Sequence, residues 1–158
     1  MKIDKIIFSS SEQFSPFWNL QAEVWSNMGI EPVLLLWGKK ENTNVSEKNG
    51  KVVEMEYSAD AIKSLQMTFS KFYYAKSEPE TTWMIGDIDL YPLQTNWFKG
   101  KIAGIPDDHY AHLGYTNLDI DRKREWTEFG GTINGGTDLP AYYHVAKGKT
   151  FEDRKSTR

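Results

Sequence analysis

Two aspartates, Asp87 and Asp89, stand one residue apart in the stretch TTWMIGDIDLYPL (residues 81–93). An apolar run leads into them through Gly86, and an apolar segment with Pro92 follows. In extended backbone, residues i and i+2 face the same way, so the two carboxylates converge on one point. Carboxylates held together repel unless a proton or a cation lies between them. Oxygen donors of this kind suit a hard divalent ion such as magnesium, manganese or calcium, which keeps waters and takes further oxygens from phosphate. The competing reading is a strand that simply ends at a turn. The apolar residues on both sides of the pair weigh toward the ion.

Other residues carry weaker signals. Ser9, Ser10 and Ser11 close the first apolar stretch, either as a plain strand end or as hydrogen-bonding groups for a ligand. His109 and His112 have a spacing that metal pairs use, though loop histidines show it by chance. Gly148–Thr150 imitates the end of a phosphate-binding loop, but the glycine needed five residues earlier is Tyr143, and such a loop follows a first strand. Trp97, Tyr110, Tyr115 and Trp126 fall in the polar half, where aromatic rings can serve as stacking platforms.

These residues need elements to position them. KIDKIIFSS (residues 2–10) reads as a first strand that stops at serines. SPFWNLQAEVWSNMG (15–29) reads as a helix with Ser15 as N-cap and Pro16 in its first turn. Phe17, Leu20, Val24 and Met28 fall on one face of it. EPVLLLWG (31–38) is a continuous apolar strand, covered on both faces, and KVVEMEY (51–57) is a third strand. Residues 59–79 form a helix whose face carries Ile62, Leu65, Phe69, Phe72 and Tyr73. The segment before Asp87 is the next strand, and KIAGIP (101–106) another. Strands alternating with helices predict an α/β fold, a mostly parallel mixed sheet flanked by helices. Ligands of such sheets lie beyond the carboxyl ends of the strands, where Ser9–Ser11 and Asp87–Asp89 fall. From about residue 107 onward a loop-rich part is expected, ending in a polar tail at 152–158.

Composition narrows the function classes. The 158 residues read as a single domain. Nineteen basic against 22 acidic residues, a net charge of −3, give no electrostatic footprint for nucleic acid or an anionic membrane. Without cysteine there is no disulfide, thiol catalysis or zinc–thiolate site. No apolar run reaches membrane-spanning length, and none has the form of a signal peptide. A cytoplasmic location is expected.

WMIGDIDLYPL resembles the D-x-D segment of metal-dependent nucleotide-sugar glycosyltransferases of the GT-A fold. The first strand ending in FSSS and a basic, aromatic helix with Lys71 in FSKFYYA fit the same pattern, so the resemblance spans roughly residues 3–105. YYHVAKGKTF (142–151) is similar to a later element of several such enzymes. The resemblance implies a Rossmann-like nucleotide-binding half over about residues 1–106, then a part at about 107–151 that completes the metal and acceptor sites. It implies manganese or magnesium on Asp89, with His144 as third ligand. Asp87 would accept from the ribose hydroxyl or reach the ion through water. Ser9, Ser10, Ser11 and Lys71 would lie at the nucleotide, and Lys147 and Lys149 near phosphate. The donor would be a UDP- or GDP-sugar, and the acceptor a glycan or other small molecule. If the reaction inverts, a carboxylate must take the acceptor proton, and Asp138 is the candidate. Two rival readings are a shortened, non-catalytic nucleotide- or glycan-binding module and a nucleotidyltransferase. The second would want a glycine-rich, basic loop after the first strand, which FSSSEQFSPF does not supply.

Overall fold

Continuous apolar runs build the middle of the sheet. Ile6, Ile7 and Phe8 of β1 (Lys5–Ser11) and Leu34, Leu35 and Leu36 of β2 (Glu31–Trp37) are fully buried, as strands covered on both faces require. The computed structural model describes residues 1–92, 100–113 and 143–151. Its other strands and its two longer helices are α1 (Trp18–Asn27), β3 (Lys51–Met55), α2 (Lys63–Lys76), β4 (Thr82–Ile85), β5 (Ala111–Leu113) and β6 (Tyr143–Lys147). The six strands among the described residues form one mixed sheet in the order β3-β2-β1-β4-β6-β5. β3, β2, β1 and β4 run parallel, and β6 is antiparallel to both β4 and β5.

Alternation along the strands divides the core in two. Ile6, Phe8, Leu34, Leu36 and Met84 pack with Trp18 and Trp25 of α1 on one face. Ile7, Val33, Leu35, Trp83 and Ile85 pack with Ala75 of α2 on the other. From β1 the chain passes through α1 to β2 on one side, and from β3 through α2 to β4 on the opposite side of β1. The winding direction therefore reverses between β1 and β4, the place where open α/β sheets hold ligands. No helix among the described residues is long and apolar enough to cross a membrane.

Both helices turn most of the expected face outward, although Met28 and Phe72 of those faces still pack partly against the core. Residues Glu12–Phe17 form a 3-10 turn with Pro16 inside it, and the Ser15 hydroxyl donates to the Glu12 carbonyl at 2.7 Å instead of capping α1. α1 buries Trp18, Gln21, Ala22 and Trp25, leaving Phe17 and Leu20 exposed. Two tryptophans remove more apolar area from water than a phenylalanine and a leucine. Their indole N–H groups are also satisfied, by the Ser46 carbonyl and the Gln21 amide oxygen, both at 2.8 Å. α2 buries Ser70, Lys71 and Ala75, while Ile62, Leu65, Phe69 and Tyr73 face outward. Small residues let α2 approach the sheet closely. A Cβ on Gly148 would lie 2.3 Å from the Glu78 carbonyl oxygen and 2.4 Å from that of Ala75.

The expected strand at 101–106 is not formed. Residues 100–102 are helical, and the chain turns at Gly104, whose φ of +81° favours glycine. Ile102 still docks into the α1-side core. The part from 107 onward, expected to be loop-rich, contributes β5 and β6 to the sheet.

Candidate active site at the ends of β1 and β4

β1 and β4 leave the sheet side by side. Ile7 pairs with Ile85, and the Gly86 N–H donates to the Ile7 carbonyl at 3.2 Å. Ser9 and Asp87 therefore emerge at one level. Gly86 is needed at this crossing, because a Cβ there would lie 2.8 Å from the Tyr143 ring and 3.3 Å from that of Phe8.

Beyond Gly86 the backbone does not stay extended. The Leu90 N–H donates to the Asp87 carbonyl at 3.1 Å, closing a turn over Asp87–Leu90. Asp89 therefore lies on a turn and not on extended strand, so strand pleat does not set the two carboxylates. Ile88 tucks into the core, Asp87 is half-buried and Asp89 is exposed. One buried point feels both carboxylates. Burial pushes the Tyr143 phenol far above its ordinary range, and the charges of Asp87 and Asp89 push the same way. Tyr91 is raised too, by burial first and by Asp89 second.

Three side chains hold this turn. Lys71, 8% exposed on α2, donates to Asp87 Oδ1 at 2.9 Å and to the Gly86 carbonyl at 3.2 Å. Gln21, fully buried on α1, donates to the carbonyls of Ile88 and Leu90, each at 2.8 Å. The Tyr143 hydroxyl donates to the same Leu90 oxygen at 2.8 Å. Gln21 and Tyr143 escaped the sequence reading. The available signal for Gln21 was its place between Trp18 and Trp25 on one helical face, where a lone amide needs partners.

With this geometry in view, known structures can be compared. No family model and no curated protein matches the chain. Among solved structures, it superposes on the galactosyltransferase LgtC, solved in complex with donor and acceptor sugar analogues, with a TM-score of 0.58 at 12% identity, covering 93% of this chain and 59% of that one. It also superposes on the glycosyltransferase GlyE of Streptococcus pneumoniae, with a TM-score of 0.54 at 10% identity, covering 98% of this chain and 36% of that one. The fold is that of the GT-A-type glycosyltransferases. The chain spans about three fifths of the length of LgtC.

Within this GT-A fold, the remaining candidates separate. Ser9 Oγ accepts from the Trp37 indole at 2.9 Å and lies 3.4 Å from Ser70 Oγ. Ser10 is buried and donates to the Ser11 carbonyl at 3.0 Å. Ser11, last in β1, is half-buried at the strand end. His144 sits on β6 opposite Ile85, hydrogen-bonded through Nδ1 to the Tyr110 hydroxyl and packed near Phe72. Tyr110 is thereby committed to an aromatic cluster with His144 and Phe151. No three acidic or histidine side chains form a metal-binding set among the described residues, so Asp87, Asp89 and His144 are not gathered as the expected triad. Lys147 pairs with Thr82 at the start of β4, the end away from Asp87. Lys147 and Lys149 both reach Glu80, at 3.3 and 3.2 Å, and hold its carboxyl below the usual range. Antiparallel pairing of β6 with β4 thus carries the two lysines away from the site expected to hold phosphate. His109 is exposed and bonded to Asp108 at 2.8 Å. Asp138, with Trp97, Tyr115 and Trp126, lies outside the described residues.

Proposed function

We propose that this chain transfers a sugar from a nucleotide-diphosphate sugar to a glycan or other small acceptor, at the carboxyl ends of β1 and β4. One observation carries the reading. The Asp87–Leu90 turn presents two carboxylates where the winding of the sheet reverses, in a fold shared with LgtC and GlyE.

The donor set fits a hydrated magnesium or manganese ion. Such ions bind through one or two carboxylates and fill their other positions with water and substrate phosphate. Asp89 is exposed, and no described residue bonds its carboxylate. Asp87 gives Oδ1 to Lys71, which leaves Oδ2. Asp89 and Asp87 would therefore hold the ion, which when bound neutralises charge on the departing diphosphate.

The chain's own groups complete the reading. Lys71 offsets the charge of Asp87 and places a cation beside the carboxylates, which favours an incoming diphosphate. Of the three serines we assign only Ser11 to the ribose or base, because Ser9 and Ser10 are engaged within the protein. Lys147 and Lys149 take no part in this reading. If the transfer inverts, a carboxylate accepts the proton of the acceptor hydroxyl, a role we keep for Asp138. A retaining transfer needs no such base.

Incubation with UDP- and GDP-sugars and manganese tests this. Slow release of nucleoside diphosphate without acceptor is expected, since water can stand in for the acceptor. Metal-dependent nucleotide binding with no turnover on any donor would assign the chain to a non-catalytic binding module instead.

A further inference from the structure

We infer that Gln21 is a positioning residue, whose side-chain amide holds the Asp87–Leu90 turn so that both carboxylates are set for the donor's diphosphate. The inference rests on the glycosyl-transfer reading above. The orientation of this amide is determined. The Trp25 indole can only donate, and it lies 2.8 Å from Oε1, so Nε2 must face the turn. Both Nε2 hydrogens are then used, on the carbonyls of Ile88 and Leu90, each at 2.8 Å. Those two residues flank Asp89, so the backbone on either side of the exposed carboxylate is anchored to α1. Tyr143 adds a second donor to the Leu90 oxygen at 2.8 Å. For packing alone, an apolar side chain would serve this fully buried position better, since a buried amide carries a desolvation cost unless it is bonded. Gln21 therefore acts on the ion-binding turn as outer-shell partners do in metal sites.

The test uses the full chain, UDP and manganese, read by isothermal titration. Gln21→Met keeps length and removes the donors. Gln21→Glu keeps the acceptor for Trp25 and turns an oxygen toward the two carbonyls. Both variants are expected to lose about tenfold or more of manganese-dependent UDP affinity, with UDP binding in chelator unchanged and unfolding still cooperative. The Leu90 amide, which closes the turn on Asp87, should exchange its hydrogen faster in both. Affinity within about twofold of the parent, with Leu90 exchange unchanged and only the melting temperature lowered, would overturn the inference. If the parent itself shows no manganese-dependent affinity, the glycosyl-transfer reading fails separately. Leu90 exchange then decides the clamp, and an unchanged rate overturns it. Should neither Gln21 variant fold, Tyr143→Phe is read the same way: a smaller affinity loss with faster Leu90 exchange supports the clamp, and neither change overturns it.

Discussion

Lys71 Nζ lies 2.9 Å from Asp87 Oδ1, and the two residues sit on different elements, α2 and the turn that follows β4. The lysine is nearly buried and the carboxylate about one third exposed. A helix that covers the sheet thus sends a cation through to its edge, where it meets one of two neighbouring acids.

Replacing Lys71 by Met should keep the stem's packing and remove the charge. Stability should fall by about 1.5–3 kcal/mol, the range for hydrogen bonds to charged groups. It should fall less than for a deeply buried pair, because water reaches Asp87. Asp87→Asn should cost less in the Lys71→Met background than alone. Denaturant midpoints over this double-mutant cycle measure the coupling. Strictly additive losses would show that the contact contributes nothing.

Tyr143 makes stability fall at alkaline pH. Its phenol is held far above the ordinary range by burial, with Asp87 and Asp89 adding. An unfolded tyrosine titrates near about pH 10. The contribution is therefore complete below about pH 10. Above it, the unfolded chain gives up the proton while the folded chain keeps it, and stability declines. Tyr143→Phe should flatten this decline, in part only, because Tyr57 and Tyr91 are raised as well. Denaturant midpoints from about pH 9 to 11 would show it. An identical slope in the variant would contradict the assignment.

Gly148→Ala should destabilise the chain. The added methyl would meet two backbone carbonyls at 2.3 and 2.4 Å, and backbone cannot swing aside as a side chain does. A loss of about 1–3 kcal/mol is expected, in line with overpacking, seen as a lower melting temperature. An unchanged melting temperature would mean that α2 and the turn at Gly148–Phe151 separate easily.

Lys147→Ala and Lys149→Ala should leave nucleotide affinity nearly unchanged. Five residue steps along β4 and its exit separate Thr82 from Asp87, roughly 16 Å at about 3.3 Å per residue. That is about twice the screening length at physiological salt, ~8 Å. A tenfold loss of affinity in either variant, by titration calorimetry, would bring this end of β6 to the donor after all.

The strands at the centre of the sheet were legible because they are continuous apolar runs with no competing period. EPVLLLW could be little else, and the run into Asp87 was equally clear. The helices were not legible in the same detail. The segment through α1 carries apolar residues on two faces, Leu20 with Phe17 just before the helix on one, Trp18, Ala22 and Trp25 on the other. Periodicity then finds a helix without choosing its inner side. On α2 the choice was inverted, since close approach to the sheet favoured Ser70 and Ala75 over Phe69 and Tyr73. The aspartates were legible as a pair, and a turn after the strand was the competing reading, but the side chains that hold this turn were not legible, because they come from residues far away in sequence. Gln21 and Tyr143 reach Leu90 across 69 and 53 positions. The same holds for Lys147 and Lys149, whose placement follows from antiparallel pairing that local sequence does not encode.

The central claim is that the Asp87–Leu90 turn binds a nucleoside diphosphate through a divalent ion. Isothermal titration with UDP and GDP, with manganese or with chelator, tests it most directly. Binding of at least one of the two should require manganese and be lost in Asp89→Ala. Equal affinity in chelator, or equal affinity in Asp89→Ala, would contradict the claim.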